Sequence, residues 1–168
     1  MTVKASALAT LVPSVVLFFK QHPGLIALGK SGELGFDEHG LWVFQGDAGE
    51  RPFRDPQGTG TSAVVISADA SWGSNQHNTA QFPLLQVLIF SDADRDADNQ
   101  PVRLNQRTKA WKIYEVVDDV LHDVSNTHHD FFGTQVISSS RHTNPGIQPV
   151  PDTAGLVRLM VRYEVQVP

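Results

Sequence analysis

The alternation of apolar and polar residues is cleanest near the end of the chain. Val157, Leu159, Val161, Tyr163, Val165 and Val167 fall on one side of an extended backbone, and Arg158, Met160, Arg162, Glu164 and Gln166 on the other. That period of two predicts a half-exposed strand. Between Leu104 and Val124 the period becomes helical. Ala110, Ile113, Tyr114, Val117, Leu121 and Val124 share one face, while Lys109, Lys112, Glu115, Asp119 and His122 take the other. Trp111 and Tyr114 are assigned to the side that packs on a sheet or on a neighbour. The run "FPLLQVLIFSD" is almost continuously apolar, as a strand buried on both faces requires. "LWVFQG" and "TSAVVISAD" read as earlier strands, and "TQVISSSRH" as a strand after the long helix.

The first apolar run, "ALATLVPSVVLFF", carries Pro13 and is too short to span a bilayer. It predicts a short core helix with Pro13 in its first turn and Val15, Val16, Phe18 and Phe19 on its apolar face. The adjoining "KQHPG" lacks the small-residue cleavage site of a secretory leader. Three further stretches read as polar loops or turns: "ASWGSNQHNTAQ", "SNTHHDFFG" and "TNPGIQPVPDTAG". A longer excursion, at about residues 47–60, holds "DAGERPFRDPQGTG" and has no periodicity. Three strands before the long helix and two after it imply an α+β fold. The expected architecture is a mainly antiparallel sheet of about five strands, with an N-terminal helix and one long amphipathic helix packed on it. Residues 1–168 are the size of one domain.

Charge and composition narrow the chemistry. Thirteen basic side chains stand against eighteen acidic ones, a formal charge of −5, so the summed field repels a polyanion and disfavours a basic nucleic-acid face. No cysteine is present, which removes disulfides, thiolate metal sites and thiol catalysis and fits assembly in a reducing cytoplasm.

One stretch matches a phosphate-binding loop: Gly24, four residues, then Gly29, Lys30 and Ser31. In such a loop backbone amides cradle phosphates, the lysine reaches the outer phosphates and the hydroxyl holds magnesium, as in a nucleotide-binding phosphotransferase. The context opposes it. A real loop follows a buried strand and opens a helix, whereas this one follows a helix and precedes the glycine-rich "SGELGFDEHG". A helix end and a glycine-punctuated turn are expected instead. The acidic run Asp92, Asp94, Asp96 and Asp98 alternates as calcium ligands do, but Ala97 stands where a glycine is needed and Arg103 where a bidentate glutamate is needed. The group His122, Asp123, His128, His129 and Asp130 lacks a second histidine at helical spacing from His122. No Gly-x-Ser-x-Gly elbow or paired carboxylates appear, so no catalytic, cofactor or metal residue is assigned, and a non-enzymatic role is expected.

Taken together, the N-terminal helix, "LWVFQG", the "GERPFRDPQGTG" excursion, "TSAVVISAD", "LLQVLIFSDADRDAD", "RTKAWKIYEVVDDVLHDV" and "LVRLMVRYEVQV" resemble the tail terminator proteins of long, non-contractile-tailed bacteriophages, within the wider group of tail-completion and head–tail joining proteins. The resemblance implies a virion protein assembled in the host cytoplasm. It implies a hexameric ring that caps the head-proximal end of the tail tube, stops its polymerisation and meets the head connector proteins, while genomic DNA passes through the lumen without specific binding. It implies no cofactor and no membrane. The residues themselves nominate interface positions: Arg51, Phe53 and Arg54 in the long loop, and Asp92, Asp94, Asp96 and Asp98 in the acidic loop. The acidic loop stands either at the lumen, where it would repel DNA, or on the rim as a solvated turn. The remaining alternatives are another head-closure or connector protein of the phage neck and a monomeric ligand-binding module.

Overall fold

A computed structural model describes residues 7–30, 36–37, 40–41, 43–45, 62–72, 82–98, 100–122, 129–131, 134–136, 138–150 and 156–167. Two helices come first, α1 (Ala7–Gln21) and α2 (Pro23–Lys30). The strands β1 (Phe36–Asp37), β2 (Gly40–Leu41), β3 (Val43–Gln45), β4 (Ala63–Trp72) and β5 (Phe82–Ser91) come next. A small hairpin, β6 (Asp94–Arg95) and β7 (Pro101–Arg103), leads into α3 (Gln106–Leu121). The chain then forms β8 (His129–Phe131), β9 (Thr134–Val136), β10 (Ser138–Arg141), β11 (Gly146–Pro149) and β12 (Val157–Gln166).

The main sheet runs in the order β10-β12-β5-β4-β3, with β11 also paired to β12. Its pairs are antiparallel except β3 with β4. The expected α+β architecture is therefore present, with five strands in the path and helices on one face. β12 alternates as the sequence predicts: Leu159, Val161, Tyr163, Val165 and Val167 are buried, and Glu164 is exposed. These residues meet Leu85, Val87 and Ile89 of β5 and Val64 and Ile66 of β4 in one core with the helices. Full burial of such a side chain stabilises by about 1.5–3 kcal/mol. β5 is central and covered on both faces, since Leu88 and Phe90 join Val65 and Leu156 in a second cluster on the far side.

Several expectations are corrected. Pro13 lies inside α1, not in its first turn. The helix begins at Ala7 because Leu11, Val12, Val15 and Phe19 form a stripe that the core buries, while Pro13 itself faces solvent. An interior proline costs about 3 kcal/mol, which burial of that stripe offsets. Val16 and Phe18 pack at the margin of the same core. α3 is shorter than expected, and Val124 lies outside the described residues. Lys109 is buried, the reverse of its assignment, while Tyr114 is buried as assigned and Trp111, 40% exposed, turns away from the sheet, which leaves a neighbour as its assigned partner. At about 100° per residue Lys109 falls at the edge of the buried arc, where a lysine stem can cover apolar surface, and Trp111 falls beyond the other edge.

The strand β4 continues to Trp72, three residues into the stretch read as a loop. β8 pairs with β9 where a polar loop was expected, and β11 pairs with β12 inside the proline-punctuated turn. Backbone ladders do not require apolar alternation. Pro149, with no N–H to give, is tolerated because β11 lies at the outer side of β12. The long excursion at 47–60 lies outside the described residues. Among the described residues, no helix is long and apolar enough to cross a membrane.

Candidate functional site

The nucleotide-loop match is settled by its backbone. Gly24 to Lys30 are helical, with Pro23 opening α2 in the position where a missing N–H costs nothing. The Ile26 amide already donates to the His22 carbonyl at 3.0 Å, so the amides of the motif serve a helix and not a phosphate cradle. Gly24 has a packing reason. A Cβ there would stand 3.1 Å from Val116 Cγ1 and 3.2 Å from the His22 ring, so its absence lets α2 approach α3. The expected turn is thus a second short helix, and Ser31 lies outside the described residues.

The acidic run folds as the β6–β7 hairpin and does not act as one surface. Asp92 is 4% exposed, and its Oδ1 accepts from the Ala93 amide at 2.8 Å. Close by in sequence, the buried Ser91 hydroxyl pairs with Ser62. Asp96 and Asp98 are exposed at the turn. Asp96 Oδ1 accepts from the amides of Asp98 at 3.0 Å and Gln100 at 2.8 Å, which fixes the turn by Asx-type bonds. Asp94 pairs with Arg103 in the ladder. Among the described residues, no three His, Asp or Glu side chains stand together as a metal set. Arg51, Phe53 and Arg54 lie outside the described residues, as do Asp123 and His128.

Sequence reasoning missed the surface beside this turn. Val102 is 55% exposed and Leu104 81% exposed, and Trp111 comes after them on the outward side of α3. Trp111 rests edge-on against Tyr114, with ring centroids 5.4 Å apart. Arg103, Arg107 and Lys112, also exposed, are interleaved with these apolar residues along the chain. The signal was the "PVRL" stretch, whose alternation directly after an acidic turn is that of a hairpin strand, not a helix start.

A second constellation ties α3 to the sheet. Tyr163 Oη donates to Asp118 Oδ1 at 2.9 Å, and Arg141 Nη1 donates to Asp118 Oδ2 at 3.1 Å and to the Tyr114 hydroxyl. Ser139 Oγ donates to the Leu121 carbonyl at 2.6 Å, and the Arg141 amide donates to His122 Nδ1 at 3.1 Å. The last helical carbonyls and side chains are thereby held to β10. Burial, reinforced by the neighbouring Asp118, pushes the Tyr163 hydroxyl well above the usual tyrosine range. Burial also raises Tyr114, and the hydrogen bond to Tyr114 raises Arg141. A neutral tyrosine donating to a paired carboxylate is a fastening and offers no base or nucleophile poised for reaction.

On the far side of the sheet, Arg162 Nε and Nη2 both donate to Gln86 Oε1, at 3.2 and 3.1 Å. Arg158 Nη2 donates to Gln148 Oε1 at 3.0 Å. These polar alternates of β12 are thus engaged within the sheet.

No protein-family model and no curated protein matches the chain. A solved chain in the "Virion of native gene transfer agent (GTA) particle" does match, over 98% of each chain, with a TM-score of 0.60 at 11% identity. At that identity the likeness is one of fold.

Proposed function

We propose that this chain is a structural protein of a phage-like virion, acting as the tail terminator. In this reading residues 1–168 work as one unit, and six copies close into a ring on the head-proximal end of the tail tube. The ring stops tube polymerisation and presents its other face to the head connector proteins. The observation that carries the reading is the end-to-end fold likeness to a virion chain, which spans 98% of each chain. The surface is consistent with it: the described residues combine a solvent-facing apolar group with a polar network that fastens elements together.

Rings of this kind need a heterologous contact that closes by rotation. The net charge of −5 per copy also suits the task, since six copies carry −30 and the summed field of the ring repels the phosphates of a passing genome. No cofactor, metal or catalytic residue enters the proposal, and the place of action is the neck of the virion after assembly in the host cytoplasm.

The test is a capping assay with the tail tube protein of the same particle. Substoichiometric addition of this chain to polymerising tube protein should shorten the tubes and leave it at one end in electron micrographs. Tubes of unchanged length with no end-bound density would contradict the terminator role.

A further inference from the structure

We infer that the β6–β7 hairpin is a docking arm for a second copy of this chain, its acidic turn seating against the apolar and basic patch at the start of the neighbour's α3. The inference deepens the ring proposed above and rests on it.

Three of the four large hydrophobic residues exposed among the described residues fall in one short stretch: Val102, Leu104 and Trp111, with Leu17 the fourth. β7 is exposed along its whole length, and its hairpin is a two-stranded sheet separate from the main one. An isolated two-stranded ribbon is marginal in water, and one that presents apolar side chains outward gains from being covered. Charge identifies the covering surface. The turn carries the exposed Asp96 and Asp98, while the exposed Arg103, Arg107 and Lys112 alternate along the chain with Val102, Leu104 and Trp111. The first turn of α3 has no acidic residue, and Asn105 gives no side-chain capping bond, so that positive helix end adds to these basic groups. The Asp96 carboxylate braces the turn through the Asp98 and Gln100 amides, so Asp98 is presented on a fixed support.

One chain thus carries both halves of a complementary pair at the two ends of one short hairpin. A second copy supplies the missing half without any other partner, and two different surfaces in contact give the head-to-tail repeat that a ring needs. This places the acidic turn between subunits, and neither at the lumen nor on the outer rim.

The absence of cysteine makes the contact directly testable. Chains carrying Ala97→Cys and chains carrying Thr108→Cys, both changes at exposed positions that leave the charges in place, are mixed and mildly oxidised. The expected result is a covalent pair formed severalfold more in the mixture than by either variant alone. Leu104→Asp in both chains should abolish it at an unchanged melting temperature. Asp98→Lys and Arg107→Glu should each weaken it and restore it when present on opposite partners. If the mixture does not cross-link while light scattering still shows a ring-sized assembly of the wild type, the docking arm is overturned and the ring stands. A wild-type assembly of two copies only overturns the head-to-tail geometry. A wild type that remains at 18.4 kDa at every concentration overturns the ring and the arm together.

Discussion

Replacing Tyr163 by phenylalanine removes one hydroxyl from the most protected tyrosine of the fold, and the structure fixes the interaction that is lost. The side chain is fully buried, and its Oη donates to Asp118 Oδ1 at 2.9 Å. A hydrogen bond to a charged group contributes about 1.5–3 kcal/mol. Asp118 keeps Arg141 at 3.1 Å, so its charge is not stranded, and the loss stays within that range. For a chain of this size the melting temperature should fall by about 3–12 °C, at about 2–4 °C per kcal/mol. Alkaline pH supplies an independent readout. Burial holds the folded Tyr163 above the ordinary tyrosine value of 10.0, so its contribution is complete below that pH. It is lost as pH rises and the unfolded chain ionises first, at about 1.4 kcal/mol per pH unit. Wild type should therefore destabilise more steeply between about pH 10 and 11 than Tyr163→Phe. Thermal melts followed by circular dichroism across that window, with Asp118→Ala and the double variant to complete a cycle, measure both effects. Equal melting temperatures at neutral pH, or parallel alkaline slopes, would refute the fastening of α3 to β12.

Gly24→Val should destabilise by about 1–3 kcal/mol in chemical denaturation, because the added side chain enters the 3.1 Å gap to Val116. Lys30→Ala should leave melting and assembly unchanged, and calorimetry should show no ATP binding to either form, since the motif is helical. Deletion within "GERPFRDPQGTG" should leave the described fold intact by circular dichroism yet impair a contact with a ring neighbour or the tail tube, because Phe53 between Arg51 and Arg54 is a combination enriched at interfaces. Normal tail length and infectivity with that deletion would count against the loop.

The legible part of the fold was the part governed by simple periodicity. β12 could be read residue by residue because its inner face is apolar without a break, and β5 because a strand covered on both sides tolerates no polar alternation. α2 was hidden because two glycines and a proline mimic a turn locally, while burial of Leu25 and close packing on Val116 decide for a helix. β8 and β11 were hidden because polar strands gain their place from a partner ladder, which no local pattern records. At the candidate surface, the sequence nominated four aspartates as a group, but only the folded hairpin separates the buried Asp92 from the exposed Asp96 and Asp98. Leu104 was absorbed into a helical period that begins two residues later. The Tyr114–Asp118–Arg141–Tyr163 network joins α3, β10 and β12, and no spacing along the chain announces it.

The most direct measurement is the solution mass of the purified wild-type protein taken together with negative-stain images of the same sample. The account predicts rings with a central hole and a mass several times 18.4 kDa, about 110 kDa for six copies. A single species at 18.4 kDa across the concentration range, or compact particles without a hole, would contradict it.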